Sequence, residues 1–455
     1  MKFVTLEGCR VAVWGLGREG RAALAAWRRR LPGQSITLFC HAQEAASLSD
    51  ADHVEVRTEA PDAAVLSGFD FVIKSPGISI YKPEIVAAQK QGTVFTSGTA
   101  LWFGENPDAR VIGITGTKGK STTAALTAHL ARAAGVRTAL AGNIGLPLLE
   151  LDGRQADLWV VELSSFQTGE AGPLDVGVVT SLYEEHLDWH GSRERYVADK
   201  LKLADVSRIL LVNAMQPRLL ELTADHPRRV LFGHPDGWHV GASADAQAIL
   251  HGEQPLMSLA SLPIPGRHNA LNACAALTAL EQAGIDIRAA IPALATFQPL
   301  PHRLQHLGRR DGFDWINDSI STTPQAVLAA LDSLEGRRIT LILGGHDRGL
   351  DWSGFVEAMV RRTRLRVVTQ GASGPRIAAA MREAGEGDLL HETTNLDAAI
   401  ATARTISQAG DSIVLSPGAP SFDQFHDYTE RGRRFADLAG FDGEALGAIS
   451  NLGIA

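Results

Sequence analysis

The fold of this chain is decided by the stretch Arg110-Val-Ile-Gly-Ile-Thr-Gly-Thr-Lys-Gly-Lys-Ser-Thr-Thr123. An apolar segment leads into a glycine-rich loop, and the loop opens into the alanine-rich helical pattern of residues 124–134. Such a loop presents backbone N–H groups and the positive end of a helix dipole to an anion, so it favours a bound polyphosphate. The spacing departs from the general G-x-x-x-x-G-K-[ST] pattern because Ile114 stands at the first glycine position. A shorter form of the pattern, from Gly116 to Ser121, is present. The alternative interpretation is that this segment is only a tight turn.

The residues of this loop are predicted to bind ATP or a very similar polyphosphate. Lys120 is expected to reach the β- and γ-phosphates, and the Ser121 hydroxyl to hold Mg²⁺. The predicted nucleotide-binding residues of the loop are Gly116, Thr117, Lys118, Gly119, Lys120, Ser121 and Thr122.

The composition indicates a soluble protein of several domains. Its 455 residues exceed the usual size of one hydrophobic core, and 45% of them are hydrophobic and 21% charged. The formal net charge of -8 argues against nucleic-acid binding, which normally needs a basic surface. The three cysteines are far apart, and the sequence contains neither a signal-peptide pattern nor an apolar run of about 20 residues. We therefore expect a cytoplasmic protein without membrane insertion.

Strand-like apolar runs alternate with helical segments in three successive blocks, which is typical of doubly wound parallel sheets in an α/β protein. We predict domains at residues 1–107, 108–298 and 299–455. A polar, irregular segment over residues 233–262 indicates a peripheral hairpin layer in the second block. The predicted strands are residues 10–15, 35–39, 69–74, 111–115, 158–163, 176–181, 209–212, 229–232, 313–316, 339–343, 365–369 and 413–415.

The first block contains a second glycine-rich loop, Gly15-Leu-Gly-Arg-Glu-Gly20, between a strand and a helix. This arrangement lets a diphosphate approach the backbone closely. A nicotinamide dinucleotide site would need an acidic residue after the second strand, where this chain has Phe39-Cys-His-Ala-Gln43. We therefore predict a nucleotide-diphosphate site, with a simple strand-exit turn as the alternative for the facing loop. The predicted residues are Gly15, Leu16, Gly17, Arg18, Ser75, Pro76 and Gly77.

A carboxylate, two histidines and a lysine of the second block are candidates for a metal site. Glu162 ends an apolar strand, where it can ligate Mg²⁺ or, alternatively, cap the following helix. His186 and His190 lie four residues apart in a predicted loop, and we favour His186 as the metal ligand. Lys200, taken alone, is typical of a solvated helix lysine.

Four strand exits of the third block carry polar or glycine-rich loops, which indicates a substrate cleft. Arginines at such edges suit carboxylate or phosphate recognition because the guanidinium binds two oxygens at once. The four segments are Pro301-His-Arg303, Asn317-Asp-Ser-Ile-Ser-Thr-Thr323, Gly344-Gly-His-Asp-Arg348 and Ser416-Pro-Gly-Ala-Pro-Ser-Phe-Asp-Gln-Phe425.

Taken in order, these motifs resemble the Mur ligases of peptidoglycan synthesis, and most closely those that add glutamate to a muramoyl-alanine nucleotide. The resemblance spans nearly the whole chain and implies a three-domain architecture. In that architecture a central phosphate-loop ATPase-like domain lies between two Rossmann-like domains. The residues that carry it are Thr115-Gly-Thr-Lys-Gly-Lys-Ser-Thr122, Gly142-Asn-Ile-Gly145, Glu162-Leu-Ser-Ser-Phe-Gln167, His268-Asn-x-x-Asn272, His302-Arg303, Asn317-Asp-Ser319 and Ser416-Pro…Ser421-Phe-Asp-Gln-Phe425.

The resemblance implies a monomeric ATP-driven amide ligase of peptidoglycan precursor synthesis, acting on UDP-N-acetylmuramoyl-L-alanine and glutamate through an acyl phosphate. By motif, Ser121 and Glu162 would bind one Mg²⁺, while His186 and Lys200, the latter as a carbamate, would bind a second. Lys120, His186 and Lys200 would be the catalytic residues. The resemblance also implies that ATP is bound by Asn269, Asn272, Arg303 and Asp318. The UDP substrate would be bound by Asn143, Ser164 and Gln167. Glutamate would be bound by Thr322, Arg348, Ser421 and Phe422.

Three departures from the family pattern bear on the prediction. Ser181 and Glu185 replace the usual Asn and Asp, and the spacing from His186 to Lys200 is one residue shorter than expected. Most importantly, Ile320 stands where the D-glutamate enzymes have a lysine that contacts glutamate. This removes a carboxylate partner. The cluster Ile320-Ser-Thr-Thr323 also resembles the subgroup that adds L-glutamate, so we predict L-glutamate, with D-glutamate as the alternative.

Other functional classes share single motifs with this chain. A phosphate-loop NTPase switch would use the central loop without substrate loops in a third domain. A nucleotide-dependent dehydrogenase would use the first glycine-rich loop without the second. Ligases that add diaminopimelate, lysine or glutamate to other acceptors are competitors within the same class.

Overall fold

The first block forms a sheet of five parallel strands. The structure is a computed structural model that describes residues 1–46, 48, 53–183, 187–243, 246–264, 266–359, 365–447 and 452–455. The strands are β1 (Val11–Trp14), β2 (Ile36–Phe39), β3 (Val54–Arg57), β4 (Phe71–Lys74) and β5 (Val94–Thr96). The helices are α1 (Arg18–Arg30), α2 (Ala42–Ala45), α3 (Ala63–Leu66), α4 (Pro83–Lys90) and α5 (Gly98–Glu105). The strand order β3-β2-β1-β4-β5 makes the carboxyl ends of β1 and β4 the switch point of the sheet, where ligands of such folds bind.

The second block contains a larger parallel sheet and a small antiparallel one. The parallel strands are β6 (Val111–Thr115), β7 (Thr138–Gly142), β8 (Leu158–Glu162), β9 (Leu174–Val179), β10 (Ser207–Asn213) and β11 (Arg229–Phe232). The antiparallel sheet consists of β12 (Trp238–Ser243), β13 (Ala246–His251) and β14 (Gln254–Ser258), which confirms the predicted hairpin layer. The helices are α6 (Lys120–Ala133), α7 (Leu187–His190), α8 (Arg193–Asp205), α9 (Pro217–Leu222) and α10 (Arg267–Gln282).

The third block is a six-stranded sheet in the order β15-β16-β20-β17-β18-β19, parallel except for the edge strand β15. Its strands are β15 (Gln305–Arg310), β16 (Phe313–Asn317), β17 (Ile339–Leu343), β18 (Leu365–Thr369), β19 (Leu390–Glu392) and β20 (Ser412–Leu415). Its helices are α11 (Pro324–Ser333), α12 (Ser353–Met359), α13 (Gly374–Glu383), α14 (Leu396–Ile406), α15 (Tyr428–Leu438) and α16 (Gly443–Gly447). Short 3₁₀ helices cover Phe3–Leu6, Leu148–Leu151, Thr168–Glu170, Leu259–Ser261, Ile291–Thr296 and Gly387–Leu389.

The last strand, β21 (Gly453–Ile454), pairs antiparallel with β7 and completes the central sheet in the order β11-β10-β9-β6-β8-β7-β21. The boundaries that we predict assign these residues to the C-terminal domain instead. The chain divides into two compact units, Met1–Phe297 with Asn451–Ala455, and Gln298–Ser450. The first two sheets thus belong to one unit, and the boundaries after residues 107 and 298 remain predictions.

Burial explains why the apolar runs are strands. Both faces of a parallel sheet are covered by helices, so its central strands are apolar throughout rather than alternating. Every residue of β6, β8 and β17 is buried accordingly. The N-terminal and central sheets also share one core, in which the rings of Trp102 and Trp159 lie 4.5 Å apart. Among the described helices, we find none that is both long enough and apolar enough to cross a bilayer.

Candidate functional site

The phosphate loop lies between β6 and α6 and depends on two glycines with positive φ. Gly116 has φ 146° and Gly119 has φ 88°. A Cβ atom at Gly116 would lie 2.0 Å from Thr180 Oγ1, and one at Gly119 would lie 2.5 Å from Asn272 Oδ1. Gly119 is the N-cap of α6 and has no side chain to cap the first helical N–H groups. A helix N-terminus without a side-chain cap favours a bound anion such as a phosphate.

Hydrogen bonds to Ser181, just after the neighbouring strand β9, anchor the loop. The Thr117 N–H donates to the Ser181 carbonyl at 2.8 Å, and the Lys118 N–H donates to the Ser181 hydroxyl at 2.8 Å. The Thr117 hydroxyl lies 2.7 Å from the Tyr196 hydroxyl, and Lys120 Nζ donates to the Thr117 carbonyl at 3.0 Å. Ser181, which departs from the family pattern, thus has a structural role in holding the loop.

Two of the residues predicted to bind ATP lie on α10 next to this loop. Asn272 is buried against Gly119, and its Nδ2 donates to Asn269 Oδ1 at 3.3 Å. The structure therefore brings these asparagines and the phosphate loop together within one compact unit. Their contacts with the nucleotide remain predictions.

Glu162 ends β8, directly beside the strand that precedes the phosphate loop. Ile114 of β6 is its partner in the sheet register. The Glu162 side chain is fully buried, and its Oε1 accepts a hydrogen bond from Asn143 Nδ2 at 2.9 Å. Its Oε2 is buried and has no hydrogen-bond partner among the described residues. An unpaired buried carboxylate oxygen is unfavourable unless a cation or donor satisfies it, so this oxygen fits an Mg²⁺ ligand.

Lys200 is buried in α8 rather than solvated, contrary to what its position in the sequence indicates when taken alone. Its side chain is 1% exposed, and Nζ donates to the Gly116 carbonyl at 3.0 Å. Nζ also lies 5.0 Å from the centre of the Tyr196 ring. The lysine therefore lies directly behind the phosphate loop. His186, the predicted partner in a metal site, lies outside the described residues, as do Glu184 and Glu185.

His190, the less favoured metal candidate, uses both ring nitrogens within the protein. Nδ1 lies 2.7 Å from Asp199 Oδ2, and Nε2 lies 3.0 Å from Ser165 Oγ. Burial lowers the pKa of His190. Because the Asp199 carboxylate can only accept, Nδ1 donates to it. Burial also raises the pKa of Tyr81 to about 12, with the Asp199 carboxylate as a second cause. Burial alone would raise the pKa of Asp199, but hydrogen bonds from Lys202, Tyr81 and His190 hold it below its usual value.

The predicted nucleotide-diphosphate loops meet at the switch point of the N-terminal sheet. Gly15 has φ 94°, and its carbonyl accepts a hydrogen bond from Ser75 Oγ at 3.2 Å. Gly17 caps α1, and the side chain of Arg18 at its first position is exposed. Leu16 is fully buried, so only its backbone can face a ligand. Pro76 and Gly77 follow in the facing loop, which lies beside the glycine-rich loop as predicted.

Two residues predicted to line the UDP substrate are bonded to each other and to a residue of the first block. The Ser164 N–H and hydroxyl donate to Gln167 Oε1 at 3.1 and 2.8 Å. Gln167 Nε2 in turn donates to Glu19 Oε1 at 3.3 Å. Burial, together with the nearby carboxylate of Glu170, raises the pKa of Glu19 to about 7. A carboxyl group near the switch point therefore titrates close to neutral pH.

In the second compact unit, Asp318 joins three loops. Its Oδ1 accepts from the Leu304 N–H at 3.1 Å, and its Oδ2 accepts from Ser321 Oγ at 2.5 Å and Ser416 Oγ at 2.7 Å. Burial raises the pKa of this carboxyl group, and the hydrogen bonds oppose that rise. Asp318 therefore organises the edge of the sheet, next to Arg303. The predicted contacts of both residues with ATP remain predictions.

Arg431 is an important residue of this edge that could not be predicted from the sequence. Its side chain is 1% exposed, although it lies on α15 in a segment that is typical of a solvated helix. It donates to Ser319 Oγ and the Ser319 carbonyl at 3.0 and 2.7 Å, and to the carbonyls of Ala419 and Pro420 at 3.0 and 3.1 Å. Burial lowers its pKa to about 10. Arg431 thus fixes two of the loops in which we predict glutamate binding.

The four residues predicted to bind glutamate lie on loops after β16, β17 and β20, which are neighbours in the sheet. Ser421 is buried and Thr322 is partly buried, whereas Phe422 is 66% exposed. The Phe422 ring lies 6.3 Å from the ring of His346. Arg348 is exposed at the same edge. The structure therefore brings the predicted loops to one edge, while ligand contacts of these side chains stay predictions.

Comparison with known proteins agrees with this arrangement. The family model described as "Mur ligase middle domain" matches residues 114–280, and the one described as "Mur ligase, glutamate ligase domain" matches residues 302–418. A protein of Xanthomonas euvesicatoria pv. vesicatoria named UDP-N-acetylmuramoyl-L-alanine--L-glutamate ligase is 49% identical over 100% of both chains. A protein of the same name from a Micromonospora species is 38% identical over 96% of this chain and 98% of its own.

Solved structures show the same fold at low sequence identity. The UDP-N-acetylmuramate-alanine ligase MurC of Thermotoga maritima has a TM-score of 0.62 at 21% identity and covers 94% of this chain and 98% of its own. The MurF ligase of the same organism, solved with ADP, has a TM-score of 0.59 at 16% identity and covers 96% of each chain. Full-length similarity and two family models agree with the loops described above, and the chain therefore belongs to the Mur ligase family.

Proposed function

We propose that this chain is an ATP-dependent ligase that joins the alanyl carboxylate of UDP-N-acetylmuramoyl-L-alanine to the amine of L-glutamate. The observation that carries the proposal is the convergence of the phosphate loop, the unpaired Glu162 oxygen and the buried Lys200 at one edge of the central sheet. The full-length relatives named as L-glutamate ligases support the choice of substrates.

The proposed reaction has two steps. The carboxylate of the alanyl group takes the γ-phosphoryl group of ATP, which gives an acyl phosphate and ADP. The amine of glutamate then attacks the acyl carbon, and phosphate and a proton leave as the amide forms. Lys120 and the N–H groups of the phosphate loop stabilise the charge that develops on the transferred phosphoryl group. Mg²⁺, held by Ser121 and Glu162, would neutralise further phosphate charge when bound.

We further propose that Lys200 is a carbamate that holds a second Mg²⁺ together with His186. Its burial supports this role, because a buried ammonium group is unfavourable and a neutral amine can react with CO₂. The carbamate would convert a lysine into an anionic oxygen ligand. Because Nζ lies 3.0 Å from the Gly116 carbonyl, such a ligand would lie beside the phosphate loop.

The preference for L-glutamate rests on Ile320. This residue lies in the loop after β16, and its N–H donates to the His302 carbonyl at 3.1 Å. An isoleucine there offers no cation to a glutamate carboxylate, whereas the exposed Arg348 can bind one with two hydrogen bonds. Both enantiomers carry the same charges, so moving the cationic contact changes which enantiomer places its amine at the acyl carbon.

A phosphate-release assay tests the proposed class of reaction. Release that requires ATP, Mg²⁺, UDP-N-acetylmuramoyl-L-alanine and glutamate together supports the ligase. Release from ATP alone would support a phosphate-loop NTPase switch instead.

We place the reaction in the cytoplasm. We also propose a monomer, since the predicted site residues come from one chain. Light scattering at assay concentration measures the oligomeric state.

A further inference from the structure

The segment that follows the predicted nucleotide loop of the N-terminal domain is bonded to the helix that carries Lys200. The Tyr81 hydroxyl lies 2.8 Å from both carboxylate oxygens of Asp199, which precedes Lys200 in α8. Asp199 is buried, and its carbonyl accepts from Thr168 Oγ1 at 2.6 Å. Lys202 and His190 of the second block also bind the carboxylate, and Tyr81 is the contact that comes from the first block.

The same two domains are joined a second time through Trp189. Ser79 Oγ donates to the Trp189 carbonyl at 2.6 Å, and the indole Nε1 donates to the Pro76 carbonyl at 3.0 Å. Pro76 itself belongs to the predicted nucleotide loop. The indole stacks on Phe166 with ring centres 4.5 Å apart, and Phe166 lies between the predicted substrate residues of the central domain. These contacts connect both substrate-binding segments directly.

We propose that these residues, which we call the interdomain link, are positioning residues that hold the two ends of the UDP substrate in register. The interdomain link consists of Ser79, Tyr81, Trp189 and Asp199. The inference rests on the proposed function. The uridine end would bind at the N-terminal loops, while the acyl end must reach the phosphate loop beside Lys200. Binding energy from a remote part of a substrate can align the reacting group only if the two subsites keep a fixed separation.

The substitution Tyr81→Phe tests this role because it removes one hydroxyl and keeps the ring. Two donors are compared: UDP-N-acetylmuramoyl-L-alanine and N-acetylmuramoyl-L-alanine 1-phosphate, which has the acyl end but lacks uridine monophosphate. We expect the variant to lose about tenfold in kcat with the full donor, with KM for ATP unchanged, and less than about twofold with the truncated donor. A loss of folded enzyme would lower both rates equally, so the ratio isolates positioning.

Asp152→Asn is the matched control. Asp152 forms a bidentate ion pair with Arg30, at 2.6 and 2.8 Å, which joins the same two domains away from Lys200. We expect this variant to keep the wild-type ratio of kcat values for the two donors. If Tyr81→Phe is unfolded at the assay temperature, Ser79→Ala provides the same comparison.

The assay distinguishes a failure of the interdomain link from a failure of the proposed function. An active wild-type enzyme whose donor ratio is unchanged by Tyr81→Phe, or is changed equally by Asp152→Asn, would overturn the interdomain link. A wild-type enzyme that ligates glutamate to neither donor would overturn the proposed function itself. A selective loss with the full donor in the Tyr81 variant alone would support the link.

Discussion

Glu162→Gln is expected to stabilise the protein without ligands and to inactivate the enzyme. Glu162 is fully buried, with Oε1 paired to Asn143 and Oε2 without a partner among the described residues. An unpaired buried charge costs several kcal/mol, whereas an unpaired amide group costs about 1–3 kcal/mol. Glutamine keeps the acceptor for Asn143 and removes the charge. The difference of about 1–2 kcal/mol should raise Tm by about 2 °C or more in calorimetry without Mg²⁺.

The catalytic activity of Glu162→Gln should fall, although its Tm rises. Loss of an Mg²⁺ ligand is expected to lower kcat at least about 100-fold, or about 2.7 kcal/mol, in the phosphate-release assay. Glu170→Gln is the control, because Glu170 Oε1 lies 3.4 Å from the buried Lys74 Nζ. The same chemical change there leaves a buried lysine without its partner, so Tm should fall. A Glu162→Gln protein that melts below wild type and ligates at the normal rate would refute this reasoning.

Three further predictions concern single side chains. Lys120→Ala should nearly abolish turnover with an unchanged circular dichroism spectrum, and a folded variant of normal activity would contradict the assigned role. Lys200→Ala should be nearly inactive and partly rescued by acetate, whereas mass spectrometry of an active wild type without bound CO₂ would argue against the carbamate. The pKa of Glu19 is raised to about 7 in the folded protein. Between about pH 5 and pH 7 the folded protein therefore keeps a proton on Glu19 that the unfolded chain has lost. This proton stabilises the folded state at low pH, and the stabilisation declines from about pH 5 to pH 8. Glu19→Gln should therefore flatten the fall in Tm over that range, and an identical pH profile would contradict it.

The parts of the fold that were predictable from the sequence are those with a strong local pattern. Buried parallel strands such as Leu158–Glu162 are continuous apolar runs, and the glycine-rich loops follow two of them. The sequence pattern did not predict Val54–Arg57, an edge strand with alternating exposure, or the three-residue strand Val94–Thr96. It also did not predict Gly453–Ile454, whose pairing with the central sheet depends on residues more than 300 positions away in the chain. Short edge strands are stabilised by long-range pairing rather than by their own pattern.

The candidate site was likewise predictable from the sequence only in part. Its loops were predictable because parallel strands bring their carboxyl ends to one edge. Burial of Lys200 and Arg431 was not, since each lies on a helix whose local sequence is typical of a solvated face. The bond between Tyr81 and Asp199 joins residues 118 positions apart, and a tyrosine in a loop indicates no particular partner. Such contacts depend on how the two sheets pack against each other.

The most direct test of the central claim is a pair of ligation assays with L-glutamate and D-glutamate at equal concentration. Each contains the wild-type protein, ATP, Mg²⁺ and UDP-N-acetylmuramoyl-L-alanine, and mass spectrometry measures the amide product. We predict efficient product formation with L-glutamate and little with D-glutamate, because Ile320 removes one cationic contact and leaves Arg348 to bind the carboxylate. A clear preference for D-glutamate would contradict the account of Ile320, and no product with either enantiomer would contradict the proposed ligase.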